Sequence, residues 1–443
     1  MRKGVAMQVA SKAPFSKRFI AAAVLLAGVQ ADRVSLGVER DDATAVRGSL
    51  VIIGGSARVA NEEIWDAVIQ QAGRGKRIAV FPTASGVPLK SGNRAVSLLN
   101  SKGADAFLVP LAPTGLEVSW QDVVKDPEWV EKVRAADGVF FVGGAQGRIR
   151  DTLVSADGKP TPVLEAIWDC YRDGGVIAGS SAGAAIMSRI MFREAGVVLN
   201  TMLNGVAMGK ELDYGLGFLQ HQWFVDQHCL VRGRFARSLV AMKEQAVPFG
   251  VGIDEDTALV VERGIEARVV GYRGAIVMDL STAKSQAELG VFNIQDVKLT
   301  YLDRGDKINL TTREVTPSAE KLADRKIDPH APDFRPSSSR KLFFNDILAN
   351  TTVLDVMRRI IDHRDGQAVG LAFDGDAARE GTTTGFEFRF YRGPDSLGWE
   401  SDASGAADMT IQNIHLDIRP VQIQGPLYGE LPRQKEVVAS KPN

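Results

Sequence analysis

Only two cysteines, Cys170 and Cys229, occur in the 443 residues, so at most one disulfide can form. That excludes a disulfide scaffold and argues against a structural zinc site. Histidine is almost as scarce, with five in all, so a catalytic base has few candidates. Neither sign of charge dominates: 53 Lys+Arg stand against 54 Asp+Glu. That balance gives no polyanion-binding signature, and nucleic acid is not an expected partner. No apolar run reaches the roughly 20 residues that span a bilayer. What is present is 45% hydrophobic and 24% charged, which fits a globular protein with a sizeable core. The length allows two or three domains of about 100–200 residues each.

The first 31 residues carry Arg2, Lys3, Lys12, Lys17 and Arg18 and no acid, and residues 19–29 form a short apolar run. Val29, Gln30 and Ala31 then place small side chains before Asp32. A basic start, a short apolar middle and a small exit predict a signal peptide over residues 1–31. The protein is then expected to be secreted or periplasmic, with no membrane partner after cleavage.

From residue 48 onward, apolar runs alternate with helical spacing. Strands are predicted at 49–53, 77–81, 106–109, 138–142 and 175–178, and helices at 61–73, 93–102 and 162–173. Continuous apolar strands alternating with helices predict an α/β fold, a parallel sheet with helices on both faces. Ligands in such sheets sit at the carboxyl ends of the strands, where the turns at Gly54, Gly143 and Gly179 fall. After residue 249 a hairpin is predicted at 258–262 and 267–271, with a further strand at 274–278. Residues 316–340 read as a connector, 342–363 as a helix, and 385–391 and 411–418 as strands. The reading divides the chain into a catalytic domain, 48–282, and a C-terminal extension of mixed α and β, 283–443.

The sharpest motif is Gly179-Ser180-Ser181-Ala182-Gly183, with a strand before it and small helix-forming residues after it. This is the G-x-S-x-G elbow: its glycines let the chain turn sharply and thrust the central serine above the sheet. Ser181 is the candidate nucleophile. Ser180 competes but sits one position early. The Ala182 amide then points at a developing oxyanion. The glycine-rich turn at residues 143–147 supplies Gly144 as a candidate second donor and Gln146 as a side chain able to position substrate. Of the histidines, His228 lies among polar side chains with Arg232, Arg234 and Arg237 behind it, and His221 is the runner-up. Asp254, Glu255 and Asp256 offer three carboxylates to orient the base. The three arginines read either as a solvated basic face or as binders of substrate carboxylates.

Taken together, Gly143-Gly144-Ala145-Gln146, the elbow, Asp226-Gln227-His228 with its arginines, and the Gly252 to Ala258 stretch resemble the cyanophycinases. These are serine peptidases related to aspartyl dipeptidase, and their fold resembles class I glutamine amidotransferases. The basic leader and long C-terminal portion resemble the extracellular branch. The resemblance implies Ser181 as nucleophile, His228 as base and Glu255 as third member. It implies substrate-binding roles for Gln146, Asp226, Gln227, Arg232, Arg234 and Arg237. It implies cyanophycin, a poly-aspartate carrying β-linked arginines, as the polymer partner, cut to β-Asp-Arg dipeptides. No metal or organic cofactor is implied, and a homodimer is expected. The chain departs from cytoplasmic members at Ser56-Ala57-Arg58, where they often carry an acidic pair, and at Cys229. A related dipeptidase acting on short Asp-containing peptides, or a secreted polymer-binding protein, are the alternatives.

Overall fold

The computed structural model describes residues 46–429, except 74 and 195. Its strands run in chain order β1 (Ser49–Ile53), β2 (Arg77–Phe81), β3 (Asp105–Leu108), β4 (Gly138–Phe141), β5 (Val176–Ser180), β6 (Ile190–Phe192), β7 (Leu212–Tyr214), β8 (Trp223–Gln227), β9 (Phe249–Ile253) and β10 (Thr257–Glu262). They continue as β11 (Glu266–Gly271), β12 (Ala275–Asp279), β13 (Ile294–Leu302), β14 (Lys307–Asn309), β15 (Val315–Thr316), β16 (Arg325–Ile327), β17 (Leu342–Phe344), β18 (Gln367–Ala372), β19 (Thr383–Ser401) and β20 (Asp408–Ile423).

The first sheet has the order β15-β14-β11-β10-β1-β5-β4-β2-β3. Strands β1 to β5 pair in parallel, and the β10–β11 hairpin joins antiparallel at β1. The apolar run of β1 is divided by its period of two: Leu50 and Ile52 enter one core, Val51 and Ile53 the other. Burial on both faces is what a covered parallel sheet requires. The crossover helix Pro162–Arg172 starts where the sequence says it should. Thr161 accepts from the Leu164 amide, and Pro162, with no N–H to satisfy, takes the first helical position.

The second sheet has the order β17-β18-β19-β20-β13-β12-β9-β8, with β16 on β19. One face, including Trp223, Val225, Val251 and Val277, shares the core under the first sheet. The other, including Phe224, Ile276 and Phe388, packs around the helix Thr352–Ile361. The expected boundary at 282/283 falls inside both sheets. β14 and β15 complete the first, and β13 and β17 to β20 continue the second from β12.

Two local expectations change. The helix expected over 342–363 is confined to Thr352–Ile361. Its first residues, Leu342 to Phe344, instead form β17, paired with β18, where aromatic side chains suit a half-buried strand. The connector expected over 316–340 contains the short helix Ala319–Ala323 and β16. Residues 1–31, the expected leader, lie outside the described residues. Among the described residues no helix is long and apolar enough to cross a membrane.

Candidate active site

The two sheets meet at the carboxyl ends of β1, β5, β8 and β9, and the chain crosses from the second sheet to the first through residues 254–256. Ser181 follows β5 with φ 54° and ψ −107°, a strained backbone for any residue but glycine. The flanking glycines make the turn possible. A Cβ on Gly179 would lie 2.3 Å from the Gly183 carbonyl oxygen, and one on Gly183 would lie 2.5 Å from that of Phe141. The Ser181 N–H donates to Ile53 at 2.9 Å, which ties the elbow to β1.

His228 follows β8, also at positive φ (49°), and its N–H donates to Gly54 at 2.9 Å. Its Nε2 lies 2.9 Å from Ser181 Oγ, and its Nδ1 lies 2.5 Å from Glu255 Oε1. In the neutral ring with the proton on Nδ1, Nδ1 donates to Glu255 and Nε2 is left to accept from Ser181. Of the three carboxylates in the turn, geometry selects Glu255. Asp254 accepts from the Val231 N–H and Arg273, and Asp256 accepts from Asn61 and Arg58. His221 lies before β8, 3.5 Å from Arg189, away from the serine.

Burial pushes the His228 pKa below its ordinary value, and Arg232 and Arg234 push the same way, against the Glu255 hydrogen bond. The imidazole is therefore neutral and basic near pH 7. Burial works to raise the Glu255 pKa, but the His228 hydrogen bond and the charges of His228 and Arg232 outweigh it, and Glu255 stays ionised. The order is hydroxyl, neutral imidazole, carboxylate. It allows proton transfer from Ser181 to His228 while Glu255 stabilises the imidazolium that results.

Gln227 and Arg234 stand beside the nucleophile. Gln227 Oε1 is 3.4 Å from Ser181 Oγ and accepts from Arg234 Nη1 at 2.8 Å. Burial and the neighbouring Arg237 lower the Arg234 pKa to about 10, which leaves it cationic at neutral pH. Arg232 is half exposed and reaches Glu255 at 3.7 Å. Two residues expected to contact substrate, Asp226 and Arg237, bind each other. Arg237 Nε and Nη2 each donate to Asp226 at 2.7 Å, Ser238 Oγ adds a third bond at 3.0 Å, and both charged groups are buried. A buried charge is costly without a partner, and each is the other's. Gln146 also turns inward, its Nε2 donating to the Phe192 carbonyl at 2.6 Å.

Ala182 opens the short helix after the elbow, so its amide has no intrahelical acceptor. Gly143 lies against Ser181, 3.3 Å from its Cβ to a Cβ built on the glycine, and Gly144 has φ 148° with Ala84 so close that a Cβ would overlap it. The turn after β4 is thus beside the nucleophile. Cys170 and Cys229 are both buried and unpaired.

Three contributors were missed at the sequence level. Gly55 packs under the His228 ring, where a Cβ would lie 2.3 Å from Cε1. Ser56 hydrogen-bonds Glu255. From the C-terminal portion, the Thr351 N–H donates to Leu230, and Leu348 lies against Gly233, bracing the loop behind the base. The Gly54-Gly55-Ser56 turn was visible as a turn; what it touches depends on tertiary contact.

Residues 50–269, which include all three triad side chains, match the model of peptidase family S51. A cyanophycinase of Geminocystis herdmanii is 31% identical over 280 residues, 61% of this chain and 96% of the relative. The chain belongs to peptidase family S51. It is a serine-type peptidase. A cyanophycinase of Nostoc sp. is 29% identical over 302 residues, 67% of this chain and 95% of its own length. Among solved structures, a peptidase from an acI-B1 Actinobacterium is similar over 52% of this chain and 91% of its own, at 21% identity and a TM-score of 0.41. The S51 match ends within β11, so the strands that complete the second sheet lie beyond it.

Proposed function

We propose that the chain is an exopeptidase that hydrolyses cyanophycin to β-Asp-Arg dipeptides through an acyl-enzyme on Ser181. The observation that carries the reading is the Ser181–His228–Glu255 line, in a chain whose relatives include cyanophycinases. Ser181 gives its proton to His228 and attacks a backbone carbonyl of the polymer. The Ala182 and Gly144 amides take up the negative charge on the carbonyl oxygen. The imidazolium, paired with Glu255, then protonates the leaving amine, and water, activated by the same histidine, releases the acyl group. Arg234, held by Gln227 beside the nucleophile, and the more exposed Arg232 offer donors to substrate carboxylate or main-chain oxygens. The chain works as a secreted or periplasmic homodimer whose mature form begins near Asp32.

Incubation of the purified protein with cyanophycin, with products identified by mass, tests the reading. The expected product is the β-Asp-Arg dipeptide, with casein left intact. Preference for casein, or cleavage of short Asp peptides with the polymer untouched, would overturn it.

A further inference from the structure

Four carboxylates lie in the turns that carry the triad or beside them, and each is already engaged within the protein. Asp226 is held by Arg237, Asp254 by Arg273, Asp256 by Asn61 and Arg58, and Glu255 by His228. Two guanidiniums are disposed the other way. The Arg58 side chain is 63% exposed and that of Arg232 51%, whereas their acidic neighbours point inward. With the four carboxylates engaged and Arg58 and Arg232 turned outward, the mouth of the site carries a positive potential even though the charges nearly balance.

Arg58 is tied to the triad by a continuous run of contacts. Gly55 lies under the His228 ring, Ser56 bonds Glu255, and Arg58 bonds Asp256, the residue after Glu255. Its guanidinium is held at two points: Nε donates to Asp256, and the plane lies 4.6 Å from the centroid of the Tyr272 ring, itself 58% exposed. Its two Nη groups have no hydrogen-bond partner among the described residues. A guanidinium fixed at Nε with both Nη groups free is a fork pre-organised for a carboxylate, so little freedom is lost on binding. Arg232 brings a second fork to the other neighbour in this run, Glu255.

We propose that Arg58, fixed by Asp256 and Tyr272, forms with Arg232 a subsite for a free carboxylate on the substrate next to the scissile bond. The proposal rests on the cyanophycin reading, which names the ligand. Each arginine branch is attached through its α-amino group and so keeps its own α-carboxylate. The acids in these turns are all engaged, so the branch is gripped by that carboxylate and its guanidinium is directed to solvent.

The test compares a short β-Asp-Arg oligomer with the same oligomer whose branch carboxylates are converted to primary amides. For the wild-type protein the amide form is expected to raise KM about tenfold, the scale of one lost charge-assisted hydrogen bond, with kcat unchanged. Arg58→Gln and Tyr272→Ala, each checked for folding by thermal unfolding, should raise KM for the acid form and leave KM for the amide form where the wild type has it. Equal wild-type KM for the two forms, or folded Arg58→Gln and Tyr272→Ala proteins with wild-type KM for the acid form, would overturn the subsite alone. Wild-type protein inert toward the oligomer and toward cyanophycin would remove the substrate reading and the subsite with it.

Discussion

Replacing Gly55 by alanine tests how the base is held. A Cβ there would lie 2.3 Å from His228 Cε1 and 2.4 Å from Nε2, where ordinary contact begins at 3.4 Å. The ring, not the backbone, is what can give way, and it must shift by about 1 Å, which disturbs its 2.9 Å contact with Ser181 Oγ. A misplacement of that size in a catalytic group costs on the order of 10²-fold in rate. Alanine at φ +122° adds backbone strain of roughly 1–3 kcal/mol, a sizeable share of the roughly 5–15 kcal/mol of a typical fold, so folding of the variant is checked by thermal unfolding. The expected result is a folded protein with kcat/KM on cyanophycin about 100-fold down. Its reaction with a fluorophosphonate, which reports Ser181 activation without any substrate-binding group, should slow in parallel. Wild-type rates in both assays would show that the imidazole does not depend on Gly55 for its place. A loss of turnover with normal fluorophosphonate labelling would put Gly55 in substrate binding instead.

Arg237→Ala leaves Asp226 buried and unpaired, so it should destabilise the protein by about 3–5 kcal/mol in denaturant unfolding; unchanged stability would return Arg237 to the substrate. The acid limb of kcat/KM should lie below pH 6.5, the ordinary histidine value, because burial and two arginines disfavour the imidazolium. Arg232→Ala removes one of those cations and should move the limb upward; a pH profile with the limb moved down contradicts the assignment. Gly233→Ala places a Cβ 2.3 Å from the Leu348 carbonyl oxygen at φ +57°, so it should displace the base loop and lower kcat about tenfold or more. Retained kcat in that variant would mean that residues 347–351 do not brace the site.

The parallel half of the fold was legible because β1, β2, β4 and β5 are short apolar runs that end in glycine or proline turns. The elbow was legible because few arrangements other than a strand-to-helix turn call for glycine at both flanks of Ser181. Selection of Glu255 over Asp254 and Asp256 came only from the family resemblance, since three adjacent carboxylates differ only in where the turn aims them. The pairing of Asp226 with Arg237 was not legible for a related reason. Their pairing joins a strand to the following helix, and nothing in their spacing distinguishes a buried pair from two groups facing a ligand. The second sheet was hidden by distance along the chain. Its neighbours β13 and β20 are more than 100 residues apart, and individual strands read correctly at 385–391 and 411–418 say nothing about which partners they choose.

Ser181, and not the adjacent Ser180, is expected to carry the acyl group. Release of β-Asp-Arg from cyanophycin by Ser181→Ala and Ser180→Ala, each shown to be folded, measures it directly. Ser181→Ala should lose activity by orders of magnitude, while Ser180→Ala should stay near the wild-type rate. An active Ser181→Ala protein, or an inactive Ser180→Ala protein beside it, would contradict the account.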